Sequence, residues 1–404
     1  MRCFICGDTK LSKFLDLGHQ PPSDAFLSKG DLKKPEARYP LALYFCEQCG
    51  LVQLGYIVDP ELLFRDYVYT TGMNNSLRAN FKALVESLVS RYSLGKGDLA
   101  VDIGSNDGTL LSFYTAFGVR TLGVDPSSAS LLAKEKGIAT MVDFWNEKTA
   151  TAAVAVHGKA KIITATNVFA HVGDLDSFMR GLQVSLMEDG VFVSESGYLL
   201  DMIETLGYDA IYHEHLRYYS LRPLMTLFGS FGMEIFDVER IPSHNGSIRV
   251  YAGRKGVHPK APTVEDLLKL EDSKGLYSKD TFAHFAQRVH AHKGALTKIL
   301  SEARSAGKRI VGIGAPAKGN TLLNFCGLTE DTVECLLEKS DLKIGLYAPG
   351  THIPVLSEAL LSTEKIDFAL MLSWNITPEL VAKLRKSGYA GAFIIPFPEP
   401  KIMH

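Results

Sequence analysis

No apolar run in this 404-residue chain approaches the roughly 18 residues that a membrane-spanning helix needs. The opening residues, Met1-Arg2-Cys3-Phe4-Ile5-Cys6-Gly7, carry no apolar signal core, so a cytoplasmic protein without a membrane partner is expected. An excess of either charge is missing too: 43 Lys and Arg stand against 45 Asp and Glu, a net charge of −2. A protein that tracks phosphates carries a basic stripe, so nucleic acid is excluded as a partner. No internal repeat of solenoid length is present. What remains is ordinary globular usage, 46% hydrophobic and 22% charged, in a chain long enough for two to four cores.

Cysteine is scarce, and its placement is informative. Of six, four form the pairs Cys3-x-x-Cys6 and Cys46-x-x-Cys49, each followed by glycine (Gly7, Gly50), while Cys326 and Cys335 stand alone. In a large chain without an export signal, paired CxxC reads as metal binding, with incidental or redox-active thiols the alternative. Four thiolates on two knuckles suit a tetrahedral zinc and leave no open position for catalysis, so the zinc is structural. The surrounding segment is turn-rich and small, and a metal would have to hold it together. An apolar stripe at Leu77, Phe81, Leu84, Val85, Leu88 and Tyr92 predicts an amphipathic helix.

Beyond it, short apolar runs at 99–103, 121–124, 162–165 and 191–193 predict strands of a parallel sheet separated by helices. A second series starts at 309–314 and continues at 333–337, 368–372 and 392–397, after a Lys-rich helical stretch at 263–305. The expected class is α/β: a small zinc-bound module over 1–72, a Rossmann-like domain over 73–262, and a helical linker with a second Rossmann-like domain over 263–404.

The first Rossmann-like segment contains Val101-Asp102-Ile103-Gly104-Ser105-Asn106-Asp107-Gly108-Thr109, a strand running into a glycine-rich turn that opens a helix. Asp125 follows 23 residues after Asp102, the distance at which an acidic side chain meets a ribose diol. Asp107 at the turn repels a pyrophosphate, which favours S-adenosylmethionine over a dinucleotide. The candidate cofactor contacts are Asp102, Gly104, Ser105, Asn106, Gly108, Asp125, Asp143, Phe144 and Asn167. The bland alternative is that Asp102 and Asp125 only cap turns.

The densest titratable string is Tyr212-His213-Glu214-His215-Leu216-Arg217-Tyr218-Tyr219-Ser220. Such clusters favour active sites. A metal held by His213, Glu214 and His215 and a polar surface turn are the alternatives to acid–base work, for which histidine is the natural side chain. His171, after another strand, is placed to stabilise developing negative charge from the same cleft. Further on, Gly314-Ala315-Pro316-Ala317-Lys318-Gly319-Asn320-Thr321 enters a helix and suits phosphate through its amides and Lys318.

Together these segments resemble S-adenosylmethionine-dependent C-methyltransferases of nucleotide-linked keto-deoxysugars. The resemblance runs along the chain, from Cys3-x-x-Cys6 and Cys46-x-x-Cys49-Gly50-Leu51 through 101–111, His171-Val172-x-Asp174-Leu175 and Tyr212-His213-Glu214-His215-x-x-Tyr218-Tyr219-Ser220-Leu221. It continues with His244-Asn245-Gly246-Ser247-Ile248-Arg249, the 314–321 loop and Pro349-Gly350-Thr351-His352-Ile353-Pro354. It implies His215 as the catalytic base, with Tyr212, Glu214 and His171 beside it and a tyrosine from the N-terminal module. Tyr67 and Tyr69 both qualify, Tyr69 preferred. It further implies a nucleotide sugar, dTDP-linked by preference, in the cleft between domains. His244, Asn245, Arg249, Lys318 and Asn320 are its candidate contacts. The expected reaction is proton removal next to a ketone and methylation of that carbon, at C3, with Glu214 orienting a histidine. An O- or N-methyltransferase and a non-catalytic zinc-containing nucleotide-binding module are the rivals. The chain is expected as a monomer or small homo-oligomer.

Overall fold

The computed structural model describes residues 1–64, 72 and 75–404, with the side chains of Asn75 and His244 excepted. Three sheets organise it. The first has the order Leu11–Gln20, Tyr39–Cys46, Val52–Leu54, Arg217–Tyr218, all antiparallel. Sequence reading expected a loop-rich module here. Its strands were hard to see because two shifts of register break the side-chain alternation of the first pair. Its last strand is borrowed from far downstream in the chain: Val52 pairs with Tyr218, and Gln53 with Arg217.

The second sheet has seven strands. At its centre Leu99–Ile103 is flanked on one side by Arg120–Val124 and Thr140–Met141, and on the other by Ala160–Thr166 and Leu186–Gly197, all parallel. An antiparallel hairpin, Ser247–Arg254 and Met233–Ile241, completes it. Strand order therefore reverses at Leu99–Ile103, and the crevice for a ligand lies outside the carboxyl ends at that point. The predicted helix is present as Asn75–Tyr92, burying Leu77, Phe81, Leu84, Val85 and Leu88.

Helices Pro262–Ser273 and Lys279–Ser305 lead to the third sheet. Its order is Val355–Ser357, Leu336–Glu338, Ile310–Ile313, Phe368–Met371, Ala392–Ile395, Lys401–Met403, parallel except for the last strand. Its strand order reverses at Ile310–Ile313, so the loop 314–316 and the start of helix Ala317–Cys326 occupy the corresponding crevice. No helix among the described residues is long and apolar enough to cross a membrane.

Candidate active site

The four cysteines of the two CxxC pairs come together. Their four Sγ atoms lie within 4.8 Å of one another. The Cys3–Cys49 and Cys6–Cys46 pairs are 3.5 and 3.6 Å apart. A tetrahedron of Zn–S bonds of about 2.3 Å has sulfur–sulfur edges of about 3.8 Å, so the donor set fits zinc closely. Gly50 closes its knuckle at φ +82°, and a Cβ there would lie 2.6 Å from the Tyr277 ring of the linker.

Outside the carboxyl ends of the central strands, the glycine-rich turn is closed by carboxylates. Asp125 accepts the Asn106 and Ser127 amides, both at 2.8 Å. Its Oδ1 also accepts the Ser127 hydroxyl, and Oδ2 keeps a lone pair for a further donor. Asp107 accepts from Thr109 N–H and Oγ1 and from Lys136, and it also receives the Gly72 amide at 3.1 Å. Lys136 and these donors hold its carboxyl below the usual range against burial. Gly104 has φ +68°, and a Cβ on it would meet Val168 Cγ2 at 2.3 Å. The buried Ser105 Oγ lacks a partner. The cradle thus fits an adenosyl ligand. Gly108, also at positive φ, opens helix Thr109–Thr115. Asn167, at φ +57°, follows the neighbouring strand. Asp143 and Phe144 follow Thr140–Met141, with Asp143 exposed.

Asp102 is placed differently from the expected cofactor contact. It lies inside the sheet, 3% exposed, bonded to Thr164 Oγ1 at 2.6 Å. Burial, with a smaller push from Asp125, raises its carboxyl to about 7 against the Thr164 bond. It ties the central strand to its neighbour Ala160–Thr166.

The segment 208–219 meets the chain that follows strand Ala160–Thr166. His171 and His215 stack at 5.0 Å between ring centroids, and His171 stacks on Phe64 at 5.7 Å. Burial alone lowers His171 to about 4, so its ring is neutral. Tyr212 lies 4.0 Å from the His215 ring, and Tyr218 meets it edge-on at 6.5 Å. His215 Nδ1 is 2.8 Å from the Ala210 carbonyl. A carbonyl only accepts, which assigns the proton to Nδ1 and leaves Nε2 as the basic nitrogen.

Two expectations change here. Glu214 makes no hydrogen bond to a histidine among the described residues: its charged neighbours are Asp24 of the N-terminal module and Lys343 of the third sheet's domain. Burial, reinforced by Asp24 and opposed by Lys343, lifts its carboxyl well above the ordinary value. Residues 212–215 form a turn closed by the His215 amide on the Tyr212 carbonyl, and the side chains of 213–215 do not gather into a metal site. His213 bonds the Tyr39 carbonyl at 3.3 Å, and among the described residues only the four cysteines gather as metal donors.

From the third sheet, half-buried Lys318 is the electrostatic partner of Asp209, and burial lowers its ammonium. Trp374 Nε1 donates to Asp209 Oδ2 at 2.6 Å. Asn320 donates to the Ser23 carbonyl at 2.7 Å, tying the third domain to the first. Arg249 is held by Glu195 at 2.9 Å and Glu239 at 3.1 Å within the second sheet. Neither is an open ligand contact. Asn245 lies in the turn Ser243–Asn245, and the His244 side chain, like Tyr67 and Tyr69, is outside the described residues. Sequence reasoning missed Asp209, Trp374, Asp24, Lys343 and Arg217. Only Asp209, three residues before Tyr212, and Arg217, inside the 212–220 string, offered a local signal.

Three family profiles match consecutive parts of the chain: a zinc binding domain over 3–64, a methyltransferase domain over 77–238, and a C-methyltransferase C-terminal domain over 242–398. The C-methyltransferase NovU of Streptomyces niveus is 31% identical over 404 residues, covering 99% of this chain and 96% of that protein. The chain belongs to the C-methyltransferase family. Its activity is methyl transfer, with S-adenosylmethionine as methyl donor and a zinc centre of four cysteines. Among solved structures, the YcgJ protein of Bacillus subtilis is 16% identical, covering 44% of this chain and 100% of that one, at TM-score 0.35. Magnesium protoporphyrin IX methyltransferase of Synechocystis, with bound SAH, is 16% identical over 44% of this C-methyltransferase and 83% of that chain, also at 0.35.

Proposed function

We propose that this C-methyltransferase methylates a carbon next to the ketone of a nucleotide-linked keto-deoxysugar, C3 of a dTDP-linked 4-keto-6-deoxyhexose, in the cytoplasm. The observation that carries the reading is the His171–His215 stack with His215 Nδ1 bonded to the Ala210 carbonyl. Methylation of oxygen or nitrogen starts from an atom with a lone pair. Carbon has none until a base removes its proton, and a neutral imidazole with its basic Nε2 fixed in orientation serves that need.

In this reading His215 Nε2 takes the α-proton and the ketone oxygen takes up the developing charge. Neutral His171 and the Tyr212 hydroxyl lie beside it as donors that strengthen as charge develops. Bound in the crevice over Gly104 and Asp125, S-adenosylmethionine supplies a methyl group already activated by its sulfonium. Lys318, the 314–316 loop and the amides opening helix Ala317–Cys326 take the diphosphate. Glu214, its carboxyl lifted by burial, sits at the junction of the three domains, while Asn320 and Arg249 act behind the site as braces. Residues 1–72 serve as the zinc-bound module, 73–262 hold the cofactor, and 263–404 hold the nucleotide sugar.

Mass spectrometry and NMR of products from dTDP-, CDP- and GDP-linked 4-keto-6-deoxysugars test the reading. A new carbon–methyl bond, with solvent deuterium entering the α-carbon when the donor is omitted, is expected. Methyl on oxygen or nitrogen without that exchange overturns it. His215→Asn should lower turnover roughly 10²–10⁴-fold while donor binding persists; near-wild-type turnover would remove His215 as the base.

A further inference from the structure

The base at 215 is oriented by main chain, and that main chain is held from another domain. The turn Tyr208–Ala210 is a single 3-10 turn, too short to fix itself. Three anchors reach it. Trp374, in the turn after strand Phe368–Met371 of the third sheet, donates Nε1–H to Asp209 Oδ2 at 2.6 Å. Tyr208 Oη lies 3.0 Å from His292 Nδ1, and His292 Nε2 lies 2.6 Å from the Pro396 carbonyl. Because that carbonyl only accepts, Nε2 carries the proton and Tyr208 donates to Nδ1. Asp209 is 1% exposed, and Lys318 supplies the opposing charge. The next carbonyl along the chain, that of Ala210, receives His215 Nδ1–H.

We propose that Trp374 and Asp209 are positioning residues for His215: through the turn Tyr208–Ala210, the C-terminal domain sets the orientation and tautomer of the catalytic imidazole. This rests on His215 being the base. The domain that holds the nucleotide sugar thereby also aligns the proton acceptor. A shift of about 1 Å in a positioned group can cost about 10²-fold in rate, and the Asp209–Trp374 bond is the one side-chain tie from the third sheet's crevice to this turn, among the described residues, whose donor can be deleted with little change of shape.

The test uses Trp374→Phe in the full-length, zinc-loaded protein, because phenylalanine keeps a ring against Phe397, 4.9 Å away, and removes only the N–H and part of the ring. The expected result is a 10- to 100-fold fall in kcat with KM for the nucleotide sugar and donor affinity within about threefold. Nitrogen-15 NMR of labelled histidine, with the signal assigned by its loss in His215→Asn, should change from the Nδ1–H form to a mixture of tautomers without substrate present. Asp209→Asn, which keeps an acceptor for Trp374, should retain more activity than Asp209→Leu. If kcat stays within twofold and the His215 tautomer signal is unchanged in Trp374→Phe, the proposal is wrong. It is equally overturned if donor affinity and thermal midpoint fall in step with kcat, since that is general loosening. Should His215→Asn itself turn over normally, the base assignment fails, whereas a dead His215→Asn with an unaffected Trp374→Phe sinks only the positioning role.

Discussion

His171 and Asp102 make the protein's acid response an internal contest that substitution can separate. Burial lowers His171 from 6.5 to about 4. Below pH 6.5 the unfolded chain protonates there while the native ring does not, so this group's stabilisation is complete above 6.5 and is lost as pH falls toward 4. Asp102 behaves oppositely: burial raises it from 3.8 to about 7. The native carboxyl takes its proton before the unfolded one, so its stabilisation grows on acidification and is lost as pH rises through 7. At about 1.4 kcal/mol per pH unit, moving from pH 7.5 to 4.5 removes about 2.5 kcal/mol through His171 and adds about 3 kcal/mol through Asp102. The two nearly cancel in the wild type. Urea unfolding across that range, with constant m-values, separates them. Relative to wild type, His171→Phe should gain about 2.5 kcal/mol between pH 7.5 and 4.5, and Asp102→Asn should lose about 3 kcal/mol. A His171→Phe difference that stays flat within about 0.5 kcal/mol would refute the claim that the native imidazole is held neutral, and with it the role of a neutral donor beside His215.

Arg217 is 2% exposed, donates to the Val172 and Gly173 carbonyls, and lies 4.9 Å over the Phe4 ring of the zinc module. Arg217→Met leaves those acceptors unpaired and should cost about 3–5 kcal/mol by denaturant titration, with loss of turnover because His171 directly precedes Val172; a cost under about 1 kcal/mol contradicts it. Cys46→Ser should release zinc, read with a chromogenic chelator, and should expose the Val52–Leu54 and Arg217–Tyr218 strands to hydrogen exchange. Protection unchanged in Arg217–Tyr218 would show that the metal does not support the segment bearing His215. Gly104→Ala forces a clash with Val168 and an unfavourable positive φ, so donor affinity by calorimetry should fall at least about tenfold while the zinc content stays intact; unaltered affinity would move the donor away from this turn.

The parts of the architecture written in local periodicity were legible. The stripe from Leu77 to Leu88 did become a helix face, and the run at 99–103 did become the central strand. The cysteine pairs were equally plain, since two knuckles of fixed spacing can be closed by one ion and by little else. The antiparallel hairpin Met233–Ile241 with Ser247–Arg254 adds two strands beyond the parallel series that the apolar runs predict. The first sheet was missed because bulges break its period, and its fourth strand comes from a different domain.

The site divides along the same physical line. Groups that lie on one turn, such as Asn106 and Gly108, or on one short segment, such as Tyr212 and His215, declare themselves by proximity in sequence. Groups that meet only after three domains close do not. Asp209 and Trp374 are 165 residues apart, and Asp24 and Lys343 are 319 apart, so no spacing rule connects them. The misread role of Glu214 shows a further limit. A carboxylate next to a histidine in sequence invites the familiar carboxylate–imidazole pair, yet the turn at 212–215 gives the two side chains different neighbours, and His215 Nδ1 bonds the Ala210 carbonyl. A main-chain oxygen has no letter in the sequence. What specifies it is whatever fixes the turn carrying it, here Asp209 and Tyr208 held by Trp374 and His292. The chemistry of residue 215 is therefore encoded as much in the packing of the third sheet against that turn as in the histidine itself.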